Sequence, residues 1–306
     1  MFEFKEIYCV IKRSEWEHYQ SSGSKRALYN RVNRYNWQKL KASHENQSKF
    51  IDNLARLAEK LELKIEYVQE DDMDKIQPDQ DDLVISCGGD GTFLSCAQAF
   101  QDSVLLGMNS DHSPIIGKGS IGALTTTNRT NLEQHLNILK NGNFKIDRWS
   151  RLQVKVNGEL IDRYAVNDIY YGHNIAYQTC DITILQSGLE QEYNCSGVLC
   201  CTGMGSHAWH YNAGGSPFSN DLNAFGFRVL FPNLKIPMQF SSGIVSSRNE
   251  IIIIPHRDRY IISFDSKPDV IETQLGDEIR VSLADDRAVR VVLFENEAEE
   301  SPEIGF

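Results

Sequence analysis

Five consecutive residues, Gly88-Gly89-Asp90-Gly91-Thr92, bring together a backbone that can approach an anion and a carboxylate in its midst. Glycines lack Cβ, so their amides can come close to a ligand and reach φ values other residues avoid. An apolar run, Leu83–Ile85, leads into the turn, and a helix-forming run from Thr92 to Phe100 leaves it. That context places the turn at a helix N-terminus, where open N–H groups and the helix dipole attract phosphate. Asp90 should repel phosphate unless it binds a metal or takes a proton from a hydroxyl about to attack. The plainer alternative is that Asp90 caps the helix. The turn has no lysine of the Walker type, so a metal and nearby basic residues must offset the charge. Lys118 and the basic cluster within 12–34 are candidates.

A second glycine-rich stretch reads Thr202-Gly203-Met204-Gly205-Ser206-His207-Ala208-Trp209 and is followed by Gly214-Gly215. Glycines beside hydroxyls suit close approach to a polar ligand, and a buried glycine-rich corner fits equally well. Trp209 could stack on a base or pack in a core, and His207 and His210 fit packed or surface positions. Asn167-Asp168 offers an amide and a carboxylate that can read an adenine edge and ribose hydroxyls, or simply make a turn.

The elements that must hold these residues change character along the chain. Strand-like Glu6–Lys12 precedes a polar insertion, 14–45, with Trp16, Tyr19, Tyr29, Tyr35 and Trp37. That length for a βα connection calls for helical structure of its own, and aromatic content of this kind also suits an oligomer contact. Phe50, Leu54, Leu57, Ala58 and Leu61 recur at helical spacing. Strands follow at Leu63–Val68, Leu83–Ser86 and Val104–Asn109, with an acidic loop or short helix over 70–82 and a helix from Leu132 that stops at Asn141-Gly142. The alternation predicts a Rossmann-like α/β domain, 1–145, with a parallel sheet whose carboxyl ends carry the ligand turn. From Phe144 the chain turns to short alternating runs, 151–156, 160–171, 180–187, 196–201, 243–254, 260–264, 279–283 and 289–294, with an Asn157-Gly158 hairpin turn. These predict an all-β, sandwich-like domain over 146–295, leaving an acidic tail at 296–306.

Net charge is −11 over 306 residues, which argues against general nucleic-acid binding. The charge is uneven: residues 11–49 hold nine Lys/Arg against three acids, and 70–82 hold seven acids against Lys75 alone. No apolar run has membrane-spanning length. Seven cysteines without a CxxC pair, mostly in apolar runs, predict reduced core thiols, a cytoplasmic location and no zinc site.

The ordered set of GGDGT, Gly107-x-Asn109-x-Asp111, Asn167-Asp168 and Thr202-Gly-x-Gly205-Ser206-x-Ala208-Trp209, closing with Gly-Gly, resembles the NAD kinase family, nearest to its mitochondrial-type subgroup and bacterial relatives. The resemblance spans nearly the whole chain. It implies the two-domain architecture shared with diacylglycerol kinases, an active site in the cleft between the domains, and ATP- and Mg2+-dependent phosphorylation of the adenosine-ribose 2′-hydroxyl of NAD or NADH. It also implies a homodimer or homotetramer. Carried over, Asp90 is catalytic, and Gly88, Gly89, Gly91 and Thr92 bind the ATP phosphates. Asn109, Asn167, Asp168, Thr202, Gly205, Ser206, Ala208, Trp209 and Asp265 fall on the NAD side, with no resident metal ligand. Asn194-Cys195-Ser196-Gly197 replaces the commoner Arg-x-Asp-Gly, which removes one dinucleotide contact. A lipid kinase shares GGDGT, and a catalytically quiet dinucleotide-binding regulator would share the second loop.

Overall fold

The computed structural model describes residues 4–21, 34–112, 122–175, 177–284 and 286–294. Its elements are β1 (Ile7–Ile11), α1 (Glu15–Ser21), α2 (Arg34–Lys60), β2 (Glu66–Gln69), β3 (Leu83–Gly88), α3 (Asp90–Ala99), β4 (Val104–Asn109), α4 (Leu132–Asn141), β5 (Lys145–Trp149), β6 (Leu152–Val156), β7 (Glu159–Ala165) and β8 (Asp168–His173). They continue as β9 (Cys180–Gln186), β10 (Leu189–Cys195), β11 (Gly197–Cys201), α5 (Trp209–Asn212), β12 (Ala224–Leu230), β13 (Ser242–Ser246), β14 (Ile251–Pro255), β15 (Tyr260–Phe264), β16 (Ile271–Thr273), β17 (Ile279–Leu283) and β18 (Val289–Leu293). They form two compact units, one reaching Asp147 and resuming at Arg290, the other Arg148–Val289.

The first unit is built on a six-stranded sheet in the order β2-β1-β3-β4-β18-β5. β3 lies between β1 and β4, parallel to both, and its six residues LVISCG are all buried. Continuous burial is what a central parallel strand requires, and it explains the unbroken apolar run. The insertion does carry its own helices. Ser14 and Glu17 form a reciprocal capping box at the start of α1: Glu17 N–H donates to Ser14 Oγ, and Ser14 N–H donates to Glu17 Oε2. Trp16 and Trp37 pack ring against ring at 3.9 Å and Tyr19 is buried, so these three aromatics are used inside the unit. Tyr29 lies outside the described residues, as do the tail at 296–306 and Lys118. α2 is longer than its apolar stripe: Phe50, Leu54, Leu57 and Ala58, all in its C-terminal half, are buried in the core. α4 ends where expected, with Gly142 in the left-handed conformation donating back to Leu139 O.

The second unit is a sandwich of two antiparallel six-stranded sheets, β10-β9-β14-β17-β6-β7 and β13-β12-β11-β8-β15-β16. Ile182, Ile184, Ile251, Ile253, Ile279 and Val281 from one face meet Ile169, Val198, Phe225, Phe227, Ile262 and Phe264 from the other. Asn157 and Gly158 both take positive φ, the geometry of a tight hairpin.

Several expectations need revision. The run 160–171 is two strands in different sheets, and so is 243–254. β5, β10, β12 and β16 were not foreseen; β5, β10 and β16 are edge strands, where an apolar alternation is weakest. The expected second domain included 289–294, yet β18 pairs in parallel with β4, and Phe294 stacks on His135 of α4 at 3.9 Å. Apolar alternation tells a strand from a loop but does not say which sheet receives it. The seven cysteines are buried and free, as their apolar settings predicted.

Candidate active site

In the first unit, β3 ends at Gly88 beside Asn109, its register partner at the end of β4. Gly89 is the N-cap of α3 and makes no side-chain capping bond, which leaves Asp90 as the first helical residue. Asp90 is therefore not the cap. Its carboxylate reaches the opposite way: Leu124 N–H donates to Oδ1 at 2.7 Å and Ala123 N–H to Oδ2 at 3.1 Å. Each carboxylate oxygen has about two acceptor positions, so both keep one for another donor. Gly88 is required for packing, because a Cβ there would lie 2.3 Å from Thr92 Oγ1 and 3.0 Å from Lys12 Cβ. Gly91 differs, since a Cβ there would meet nothing within 4 Å. Among the described residues no Cβ clash calls for that glycine, and the open flank leaves room for a ligand. Thr92 Oγ1 is buried with no partner among the described residues. Asn109 Oδ1 accepts Asp111 N–H, and Asp111 in turn accepts from Ser43 and Asn46 of α2, so the Gly-x-Asn-x-Asp motif ties the helix to the sheet edge. Lys12, straight after β1, donates its N–H to Cys87 O and stands against the turn.

In the second unit the polypeptide switches sheets at Val166–Asn167, and one carboxylate holds the switch. Asp265 accepts N–H bonds from Val166 at 3.0 Å, Asn167 at 2.7 Å and Asp168 at 3.2 Å. Against this corner lies the glycine loop. Thr202 Oγ1 donates to Val166 O and accepts Gly205 N–H, and Thr202 N–H donates to Asn167 O. A Cβ on Gly205 would lie 1.8 Å from Asn167 O, so only glycine fits. Ser206 Oγ accepts Phe218 N–H and donates to Gly203 O. What the corner leaves open is informative: Asn167 Oδ1 and Asp168 Oδ1 are both buried without a partner among the described residues. Buried polar atoms are nearly always satisfied, so two adjacent orphans point to a ligand that supplies donors. Trp209, 37% exposed, stacks on Tyr170 with ring centroids 5.4 Å apart. The Tyr170 hydroxyl donates to Ser196 O, in the segment where the family pattern changes.

Burial, and then the neighbouring Asp265 charge, push the Asp168 carboxyl up from 3.8 to about 7. Burial also raises Asp265, against the lowering pull of its three amide donors. A carboxyl raised in the folded state contributes stability that is complete below its unfolded value and is lost as pH rises through the folded one. The unfolding free energy should therefore fall between about pH 4 and pH 7. Denaturant titrations across that window check this, and Asp168→Asn should flatten the slope; an unchanged slope would assign the titration elsewhere.

Residues 140–293, just over half of the chain, match the family model of the ATP-NAD kinase C-terminal domain. The chain belongs to the NAD kinase family. A probable NADH kinase of Oryza sativa is 29% identical over 75% of this chain and 76% of its own length. The NAD kinase of Corynebacterium diphtheriae is 28% identical over 57% of this chain, and the match spans about half, 54%, of that protein. Among solved structures, an Archaeoglobus fulgidus NAD kinase in complex with ATP covers 95% of the chain at TM-score 0.62 and 19% identity, with 94% of its own chain covered. Yeast NADH kinase complexed with NADH covers 99% at TM-score 0.68 and 18% identity, with 89% of its own chain covered. At these identities the two structures show a shared fold.

Within this NAD kinase fold, the sequence-predicted residues divide into groups. Gly88, Gly89, Asp90, Gly91, Thr92 and Asn109 gather at the carboxyl ends of β3 and β4. Asn167, Asp168, Thr202, Gly205, Ser206 and Asp265 form one hydrogen-bonded corner in the second unit, with Ala208 and Trp209 beside it. Thr202, Ser206 and Asp265 spend their side chains on holding backbone, whereas Asn167 and Asp168 keep an open oxygen. Sequence reasoning did not find Tyr170; its signal is the i, i+2 spacing from Asp168 on one strand, which puts both on one face.

Proposed function

We propose that the chain transfers the γ-phosphoryl group of ATP to the adenosine-ribose 2′-hydroxyl of NAD or NADH. Family membership supplies the reaction class, ATP-dependent phosphorylation of NAD(H). The observation that carries the atomic reading is the Asp90 carboxylate, which stands on the first residue of α3 and is held by the Ala123 and Leu124 N–H groups. In this reading the ribose oxygen bonds to the γ-phosphorus as its bond to the bridging oxygen breaks and ADP leaves. The hydroxyl proton passes to Asp90. Positioning and charge stabilisation do most of the work in such transfers. The α3 N-terminus and the bare flank of Gly91 receive the donor phosphates, and Lys12 stands where a cation offsets them. In the second unit, the open oxygens of Asn167 and Asp168 receive donors of the adenosine part, with Trp209 on Tyr170 as a stacking surface. Thr202, Gly205, Ser206 and Asp265 keep that corner in shape.

Among the described residues no three His, Cys, Asp or Glu side chains converge on a metal-sized space. One carboxylate at a phosphate turn suits Mg2+ that arrives on the nucleotide, because that ion is held largely by phosphates and water. Bound there, Mg2+ would offset triphosphate charge beside Asp90. We further propose a homodimer or homotetramer, which would cover Phe231 and Leu234, 84% and 82% exposed on the loop after β12. A cytoplasmic setting accords with seven free thiols; among the described residues no helix is long and apolar enough to cross a membrane.

Incubation with ATP, Mg2+ and either NAD, NADH or diacylglycerol tests the function directly. The expected product is NADP or NADPH. Phosphorylated lipid alone, or NAD binding without product, would overturn it.

A further inference from the structure

The sheet face that carries Asp168 and Tyr170 also carries a cation. Along β12, Phe225, Phe227 and Val229 point into the sandwich core, so Arg228 between them faces the other way. Arg228 pairs in register with Leu199, which pairs with Tyr170. One row behind, Gly226 pairs with Cys201, which pairs with Asp168. Cross-strand partners share a face, as do residues two apart on one strand. Asp168, Tyr170 and Arg228 therefore belong to one surface, with Tyr170 and Arg228 two strand spacings apart, about 10 Å.

The guanidinium is placed rather than loose. Its Nη2 would lie 3.2 Å from a Cβ on Gly214, and Gly214 has φ +82, so a bare left-handed turn makes way for it. Arg228 is half-buried, and among the described residues no carboxylate pairs with it. Its basic neighbour His210 is buried against Gly215, where burial, and then the charge of Arg228, push the imidazole below its usual range. Both effects disfavour a second positive charge on His210 beside Arg228. A carboxylate with an open oxygen, an aromatic stack and a cation on one face match the three chemical parts of a nucleotide: ribose hydroxyls, base and phosphate.

We propose that Arg228 holds the phosphate linkage of the dinucleotide bound on this face, an inference that rests on the function proposed above. Guanidinium is suited to this, since its planar fork meets phosphate oxygens in pairs. The second unit would then select phosphate-bearing nucleotides over nucleosides by a contact separate from the Asn167-Asp168 corner.

Calorimetric titration of the full chain and its variants with NAD, ADP-ribose and adenosine tests this. Arg228→Met keeps an apolar stem and removes the charge. It should weaken NAD and ADP-ribose about 10- to 100-fold, the loss of hydrogen bonds to a charged group, and leave adenosine within about twofold. Arg228→Lys should recover part of the loss. The salt dependence of NAD affinity should also flatten in Arg228→Met, because a charge contact has gone; a merely structural arginine would not change it. Equal weakening of adenosine, or unchanged NAD affinity, overturns the proposal. Wild-type protein that binds none of the three overturns the functional reading itself. Wild-type protein that phosphorylates NAD, beside an Arg228→Met variant of undiminished affinity, overturns the role of Arg228 alone.

Discussion

Replacing Asp90 by Asn should lower kcat by at least about 100-fold while NAD affinity stays within a few-fold, the range expected for loss of a positioned proton acceptor. The substitution does two things that must be separated. It removes the acceptor for the hydroxyl proton, and it turns one carboxylate oxygen that receives a backbone N–H into an NH2 group. Two donors then face each other, which costs about 1–3 kcal/mol in the segment carrying Ala123 and Leu124. Thermal melting reads the second effect and single-turnover kinetics the first. A melting shift of a few degrees with turnover near wild type would reduce Asp90 to a clasp for that segment. A large kinetic loss with a small melting shift and intact NAD binding is the result expected of the group that meets the attacking hydroxyl.

The largest stability effect should come from Asp265→Ala. Three backbone N–H groups, those of Val166, Asn167 and Asp168, end on this one buried carboxylate. Removing it leaves each donor unsatisfied at about 1–3 kcal/mol apiece, so a loss of at least about 3 kcal/mol is expected. Alanine is also a poorer fit than aspartate or asparagine for the left-handed backbone at this position, φ 49. Asp265→Asn keeps one acceptor oxygen and tolerates that backbone, so it should lose less. Denaturant midpoints rank the three proteins, and NAD titration below the transition reports whether the corner still binds. An Asp265→Ala protein as stable as wild type would mean that the amides have found other partners and that the corner does not depend on this residue.

How far the sequence revealed all this depends on the range of the forces involved. GGDGT was legible because its cause is local: an apolar strand, glycines that allow close packing, then a helix. β3 and α4 were found for the same reason, an unbroken apolar run in one and a Leu stripe ending at Gly142 in the other. The break at Val166–Asn167 was hidden, because the carboxylate that makes it lies about a hundred positions later, at Asp265. Asp265 itself was placed near the nucleotide through resemblance, while its observed partners are all backbone amides. β10, with Glu190 and Glu192 on an outer strand, has the charged pattern of a protected sheet edge and so lacks the apolar signature of a strand. Tyr170 and Arg228 stay unremarked in a linear reading because only sheet register brings them into one grid.

The return of β18 to the first sheet bears on how the chain acquires its structure during synthesis. Nascent domains usually fold from the N-terminus onward, but here the sheet that begins at Ile7 is not complete until Leu293 has been made. β18 sits between β4 and β5, so until then β4 has an open flank and β5 has no neighbour on the side of β4. Arg148–Val289, by contrast, holds both of its sheets within one continuous segment. The later-made unit can therefore close first, and the earlier-made one must wait until β18 has been made. Until β18 arrives, the half-built first sheet presents an open strand edge of the kind that promotes aggregation.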